Sequence, residues 1–187
     1  MILIAVVGCK GQDPFQPGPV TEADRPFADV FKPWDGTWKG IFYIYEDTAY
    51  ASRSTSPTDF GSWTDKIARD SIKVTQTYRS KSPFFQRVTI TDHYADRTEV
   101  SIGVNKVEGG ELRCIVKKPN ETIMHRGQRI GPATVVWSRD ERNPLRKEYF
   151  LEAATDSTYT IQGWGYYGHD DVTLGPRMWF NARYIKE

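Results

Sequence analysis

From Trp38 onward the chain reads as short runs in which apolar and polar residues alternate, each closed by turn-forming residues before the next begins. This pattern constrains the fold more than any other feature, because a period of two places every second side chain on one face of a strand. Trp38, Gly40, Phe42 and Ile44 share a face of the first run, and Ile72, Val74, Gln76 and Tyr78 share one in the second. Further runs cover Phe84–Tyr94, Thr98–Lys106, Glu111–Lys118, Ala133–Ser138, Leu145–Ala153, Thr158–Gly165 and Pro176–Ile185. Segments such as Glu108-Gly109-Gly110, Lys118-Pro119-Asn120 and Thr155-Asp156-Ser157 separate them with turn chemistry. Links this short pair neighbouring strands antiparallel. About nine strands in a meander expose two edges unless the sheet closes on itself. The expected fold is therefore all-β, an antiparallel up-and-down β-barrel of about 8–10 strands. A β-sandwich is the alternative; Gly103, Gly163, Gly165 and Gly168, which permit bends within strands, favour the barrel.

Composition excludes several function classes. Across 187 residues, 25 basic and 24 acidic side chains leave a net charge of +1. That balance offers no basic face for nucleic acid or for an anionic membrane surface. The two cysteines, Cys9 and Cys114, make neither a disulfide framework nor a zinc site. Cys114 alternates with Leu112 and Val116, so it reads as a small hydrophobe of the core.

The chain before Trp34 has a different character. Met1 to Val7 is purely apolar and is followed by Gly8-Cys9. Val6-Val7-Gly8-Cys9 resembles the lipobox of bacterial lipoproteins, which implies a signal segment over 1–9, truncated because no basic residue precedes it, and lipid on Cys9. With Lys10 next, the resemblance implies a cell-envelope protein anchored by lipid, at the outer membrane in a Gram-negative host. Residues 10–33 contain Pro14, Pro17, Pro19, Pro26 and Pro33 and read as an extended tether, or as an arm docked on the barrel through Phe15, Phe27, Val30 and Phe31. The folded domain then covers 34–187.

Gly36-Thr37-Trp38 resembles the Gly-x-Trp of the lipocalin and calycin barrels. That resemblance implies a Trp38 that plugs the closed end of a lipocalin-like barrel, with Arg183 near the last strand stacked on its ring. The same run resembles the start of nitrobindin-like haem barrels. Their axial histidine lies in the final strand, and Pro176 to Lys186 has none. No cofactor is therefore expected.

Between the first two strands lies a long connection, Asp47 to Asp70, carrying Tyr50, Phe60 and Trp63. A connection of this length is usually functional. It reads as a lid over one mouth, with a short helix over 58–69, or else as an excursion docked on the outer wall. Candidate lid or cavity-lining residues are Phe42, Tyr50, Phe60, Trp63, Gln76, Trp137 and Gln162. Gln76 and Gln162, on predicted inward faces, imply a lumen that is not wholly dry. The histidines read as structural: His169-Asp170-Asp171 as a polar turn, His93 as a strand-end partner of Asp92, and His125 as part of a polar surface segment. No metal site or catalytic residue is expected.

Three functions fit. The first is a monomeric, tethered envelope barrel that binds a small apolar or amphipathic molecule. The second is a structural or interaction lipoprotein with a packed lumen. The third is an enzyme or a pigment lyase-like chaperone, by analogy with phycobiliprotein lyase barrels; it requires ionisable residues converging inside the lumen.

Overall fold

A computed structural model describes residues 13–50, 56 and 58–187; the lipobox segment and Cys9 lie outside the described residues. Ten strands follow one another: β1 (Gly36–Glu46), β2 (Ile67–Ser82), β3 (Phe85–His93), β4 (Thr98–Glu108), β5 (Glu111–Lys117), β6 (Thr122–Gly131), β7 (Thr134–Arg142), β8 (Leu145–Ala154), β9 (Thr158–Gly168) and β10 (Met178–Lys186). Each pairs antiparallel with its neighbours, and β1 pairs with β10 from Trp38↔Lys186 to Glu46↔Met178, which closes the barrel. The meander is tight where glycine allows it. Gly109 and Gly110 both take positive φ, 62° and 79°, in the β4–β5 turn, as a two-residue hairpin link requires.

One strand, β6, departs from the sequence reading. It covers the polar surface segment around His125, which is not among the expected runs. Its outward face carries Arg126 and Gln128, and His125 and Arg129 stand on the other face, so polarity does not alternate and the period is masked.

The two ends of the barrel differ. At the end where β1 starts, the chain from Glu22 to Trp34 folds as two 3-10 segments and seals the opening with Val30, Phe31 and Trp34, each nearly inaccessible. Of the two expectations for 10–33, extended tether or docked arm, the described part follows the second and forms a plug. Two anchors hold it. Buried Asp24 accepts hydrogen bonds from the Gly110 amide at 2.7 Å and from Thr21. Asp35 accepts from the Ser80 amide and hydroxyl and from Gln86 Nε2, while Gln86 also donates to the Phe31 carbonyl. Upstream, Phe15 packs outside the barrel on Phe85, Val104 and Ile115.

Trp38 is fully buried in this closed end. Its Nε1 donates to the Trp34 carbonyl at 2.7 Å, and its ring meets Tyr159 edge-on at 5.8 Å. The cation over the ring is Lys186, with Nζ 5.0 Å from the centroid. Arg183 is exposed: it alternates with inward Ala182 and Tyr184 and stands on the outer face, so it does not fill the partner role expected of it.

In its described residues the 47–66 connection is not a lid but the alternative, an excursion docked on the outer wall. Residues 58–66 run as turns and bends without a helix. Tyr45, Trp179, Trp164 and Tyr149 stand opposite one another across β1, β10, β9 and β8 and form an aromatic row on the outer face. Phe60 packs on Trp164, Tyr166 and Trp179, and Trp63 lies 5.2 Å from Tyr45 and edge-on to Trp179 at 6.3 Å. Trp164 Nε1 donates to the Ser56 carbonyl. Lys66 lays its ammonium 4.1 Å from the Trp179 ring, and burial lowers its pKa. The apolar payload of this connection is thus buried against the outer wall. Tyr50 sits half-buried in the turn after β1 and does not line the lumen.

Replacing Trp38 with Ala is expected to destabilise the fold by about 3–5 kcal/mol, the cost of deleting a large buried aromatic. Urea denaturation monitored by circular dichroism measures this, and probe binding in the surviving fold is expected to persist.

Candidate functional site

The lumen holds a cavity of about 570 Å³ that opens at the end opposite the plug. Its wall follows from strand parity. Phe42, Ile44, Ile90, Ile123, Phe150 and Phe180 face inward and form an apolar belt. The inward glycine of β9 makes room beside it: a Cβ on Gly163 would meet the Phe150 ring at 2.5 Å and the Tyr149 carbonyl oxygen at 2.6 Å. Of the residues expected to line a cavity, Phe42, Gln76 and Trp137 do so. Phe60 and Trp63 lie on the outer wall, and Gln162 shares the outward parity of Trp164 and stands half-buried outside.

Polar groups gather at two levels. At the floor, nearest the plug, Tyr78 donates to Gln76 Oε1, and its hydroxyl lies 3.2 Å from that of Tyr159. Trp137 stacks on Phe31 of the plug at 6.3 Å, so the N-terminal arm supports this floor from below. Glu152 faces the same space. Burial raises its pKa to about 7, although Tyr159 and Trp137 oppose the shift as hydrogen-bond donors. The Tyr184 hydroxyl is buried and makes no hydrogen bond among the described residues. Cys114 also faces the cavity, and burial pushes its thiol far above the usual range, so it is no thiolate nucleophile at neutral pH.

At the mouth stands a second group that the sequence reading missed. His125 Nε2 donates to Glu148 Oε2 at 2.9 Å, and its ring sits edge-on to Phe150 at 5.7 Å. Burial alone would raise the pKa of Glu148. The His125 hydrogen bond and the charges of His125 and Arg139 outweigh that effect and hold it below the ordinary range. Tyr167 lies alongside, and burial, reinforced by the charge of Glu148, keeps its hydroxyl protonated. Arg146 donates to Glu121, and Lys118 and Asp92 complete the charged rim. His125, placed at the surface by the sequence reading, is therefore a lumen residue. Its signal was the parity it shares with Ile123 on β6, legible only once β6 is recognised as a strand. His169-Asp170-Asp171, by contrast, is a turn: Asp170 accepts from the Tyr167 amide, and Asp171 accepts from the amide and hydroxyl of Thr173. Among the described residues no group of three His, Cys, Asp or Glu side chains is placed to hold a metal ion.

No protein-family model matches the chain, and no curated protein does. Among solved structures, the chain is similar to a redesigned β-barrel at a TM-score of 0.40 and 8% identity, covering 86% of this chain and 96% of that one. It is similar at a TM-score of 0.40 and 10% identity to the redesigned β-barrel mFAP1 bound to DFHBI, covering 86% of this chain and all of that one. Likenesses at this level carry no argument about what this chain binds.

Glu152 makes stability depend on pH. Its folded pKa of about 7 lies above the unfolded value, so the native state holds a proton that the unfolded chain has lost. Stability from this group is present below the unfolded carboxyl pKa and is lost as pH rises through about 7. Glu152→Gln is expected to stabilise the protein above pH 7 by on the order of 2 kcal/mol and to flatten the decline between pH 5 and 7, read from denaturation midpoints across pH.

Proposed function

We propose that this barrel binds a small amphipathic molecule in its lumen. The observation that carries the reading is the cavity of about 570 Å³, enclosed by strands on all sides, sealed at one end and open at the other. Its volume falls in the range of small-molecule sites, and its apolar belt between polar floor and charged mouth matches a ligand with both characters. A barrel serving only as a scaffold would fill its lumen with side chains. The position of Trp38 in the closed end, with a cation on its ring, supports kinship with lipocalin-like barrels. The Val6-Val7-Gly8-Cys9 pattern supports a lipid anchor at Cys9 and an envelope location; intact-mass analysis of protein from its native host, with an unmodified Cys9 overturning it, tests that part.

A second reading, acid–base chemistry on the bound molecule, is favoured by the His125–Glu148 pair facing the cavity beside the Tyr167 hydroxyl. Incubating a host metabolite extract with the protein and with His125→Gln separates the two. A compound consumed only by the unsubstituted protein supports chemistry, and one retained unchanged by both supports binding alone.

Binding itself is tested with 1-anilinonaphthalene-8-sulfonate. The probe is expected to fluoresce on binding, and filling the lumen with Val74→Trp and Ile90→Trp together to weaken it at least about tenfold while the fold persists. Unchanged binding in the filled variant would place the probe elsewhere and overturn the reading.

A further inference from the structure

Arg139 is the group in this lumen whose hydrogen bonding is least complete. It projects inward from β7, two residues beyond Trp137, and lines the cavity. Its side chain is only 6% exposed. Nη2 donates to Glu141 Oε2 at 2.7 Å and lies 4.0 Å from Glu121 Oε2. Nε and Nη1 are buried and have no acceptor among the described residues. Glu148 is close enough for the charge of Arg139 to lower its pKa, but it accepts its hydrogen bond from His125. Glu121 accepts from Arg146. Glu141 thus occupies Nη2 alone, Glu148 and Glu121 accept from other donors, and the guanidinium keeps donor capacity at the cavity wall.

A buried donor without an acceptor is costly, and a buried cationic donor more so. Guanidinium groups are matched by planar oxyanions above all, because their donors lie in one plane with fixed spacing. Phe150 stands two residues deeper on β8 than Glu148, the register partner of Arg139, and Phe180 and Phe42 pack on from it, so a molecule that places an acid group on Arg139 inserts its hydrocarbon portion into the barrel. Resting on the binding reading above, we propose that Arg139 selects the ligand: it is an amphipathic carboxylic acid, held by its carboxylate at Nε or Nη1 of Arg139, with its apolar part along Phe42, Phe150 and Phe180. The other charged groups at this mouth are accounted for. His125 is paired with Glu148, Arg146 with Glu121, and Lys118 stands on β5's side of the rim near Asp92.

The test compares 11-(dansylamino)undecanoic acid with its methyl ester, which keeps the shape and removes the charge. The unsubstituted protein is expected to bind the acid at least about tenfold more tightly than the ester, the increment of one charge-assisted hydrogen bond. Arg139→Met is expected to abolish that preference while leaving ester affinity within about threefold, since the variant keeps the length of the side chain and the apolar belt. Arg146→Met, at a half-buried arginine already paired with Glu121, serves as the comparison and is expected to keep the preference. Equal affinity for acid and ester in the unsubstituted protein overturns the assignment, with water then satisfying Arg139, and so does a preference that survives Arg139→Met. If neither acid nor ester binds, the binding reading itself fails. Should Arg139→Met not fold, Arg139→Lys keeps the charge without the planar fork and is expected to reduce the preference without abolishing it; an undiminished preference in that variant counts against the proposal.

Discussion

Everything in this molecule depends on the pairing of β1 with β10. That single ladder turns ten strands into a tube, and the tube gives each strand an inside and an outside. With no free edge, no strand needs charged or proline guards along its length. Side-chain parity then decides function residue by residue. Ile44 and Phe180 enter the lumen, while their sequence neighbours Tyr45 and Trp179 join the outer aromatic row. A shift of one residue in this register would exchange the binding surface for the surface that holds the long connection.

The two polar levels of the lumen follow from the same geometry but answer to different physics. At the mouth, His125, Glu148 and Arg139 sit close enough to offset one another's charge, and Glu148 stays ionised despite its burial. At the floor, Glu152 has tyrosine and indole donors but no basic partner that holds it ionised, and burial wins. Two glutamates on one strand, four residues apart on the same face, are thus pushed in opposite directions. The strand supplies the positions, and the neighbouring strands decide the charge.

Much of this was legible in the sequence, for reasons that can be located. Strands with one polar and one apolar face, such as Ile72 to Tyr78, announced themselves through period two, and the closed barrel followed from their number and short turns. β6 was hidden because both its faces carry polar groups, and with it went His125 and one side of the mouth. The arm was half legible: Phe15, Val30 and Phe31 announced a docked alternative, but Pro26 and Pro33 read as linker, whereas 3-10 turns accommodate them and present Val30, Phe31 and Trp34. The outward placement of Trp164 had a signal that went unread. In Gly163-Trp164-Gly165 the glycines occupy one face and leave space for the Phe150 and Tyr167 rings, so the tryptophan belongs to the other. The unmet donors of Arg139 had no signal at all, since they depend on which carboxylates other strands bring near and which way those point.

The docked arm sets a direction on the molecule. Phe15 lies on the outer wall, and the chain then passes beneath the barrel to fill the end away from the cavity opening. From residue 13 to Trp34 the arm bears on the strands through Phe15, Asp24 and Asp35, away from the rim where Arg139 stands. The segment that closes the tube and the entrance that opens it thus occupy opposite poles, and neither obstructs the other.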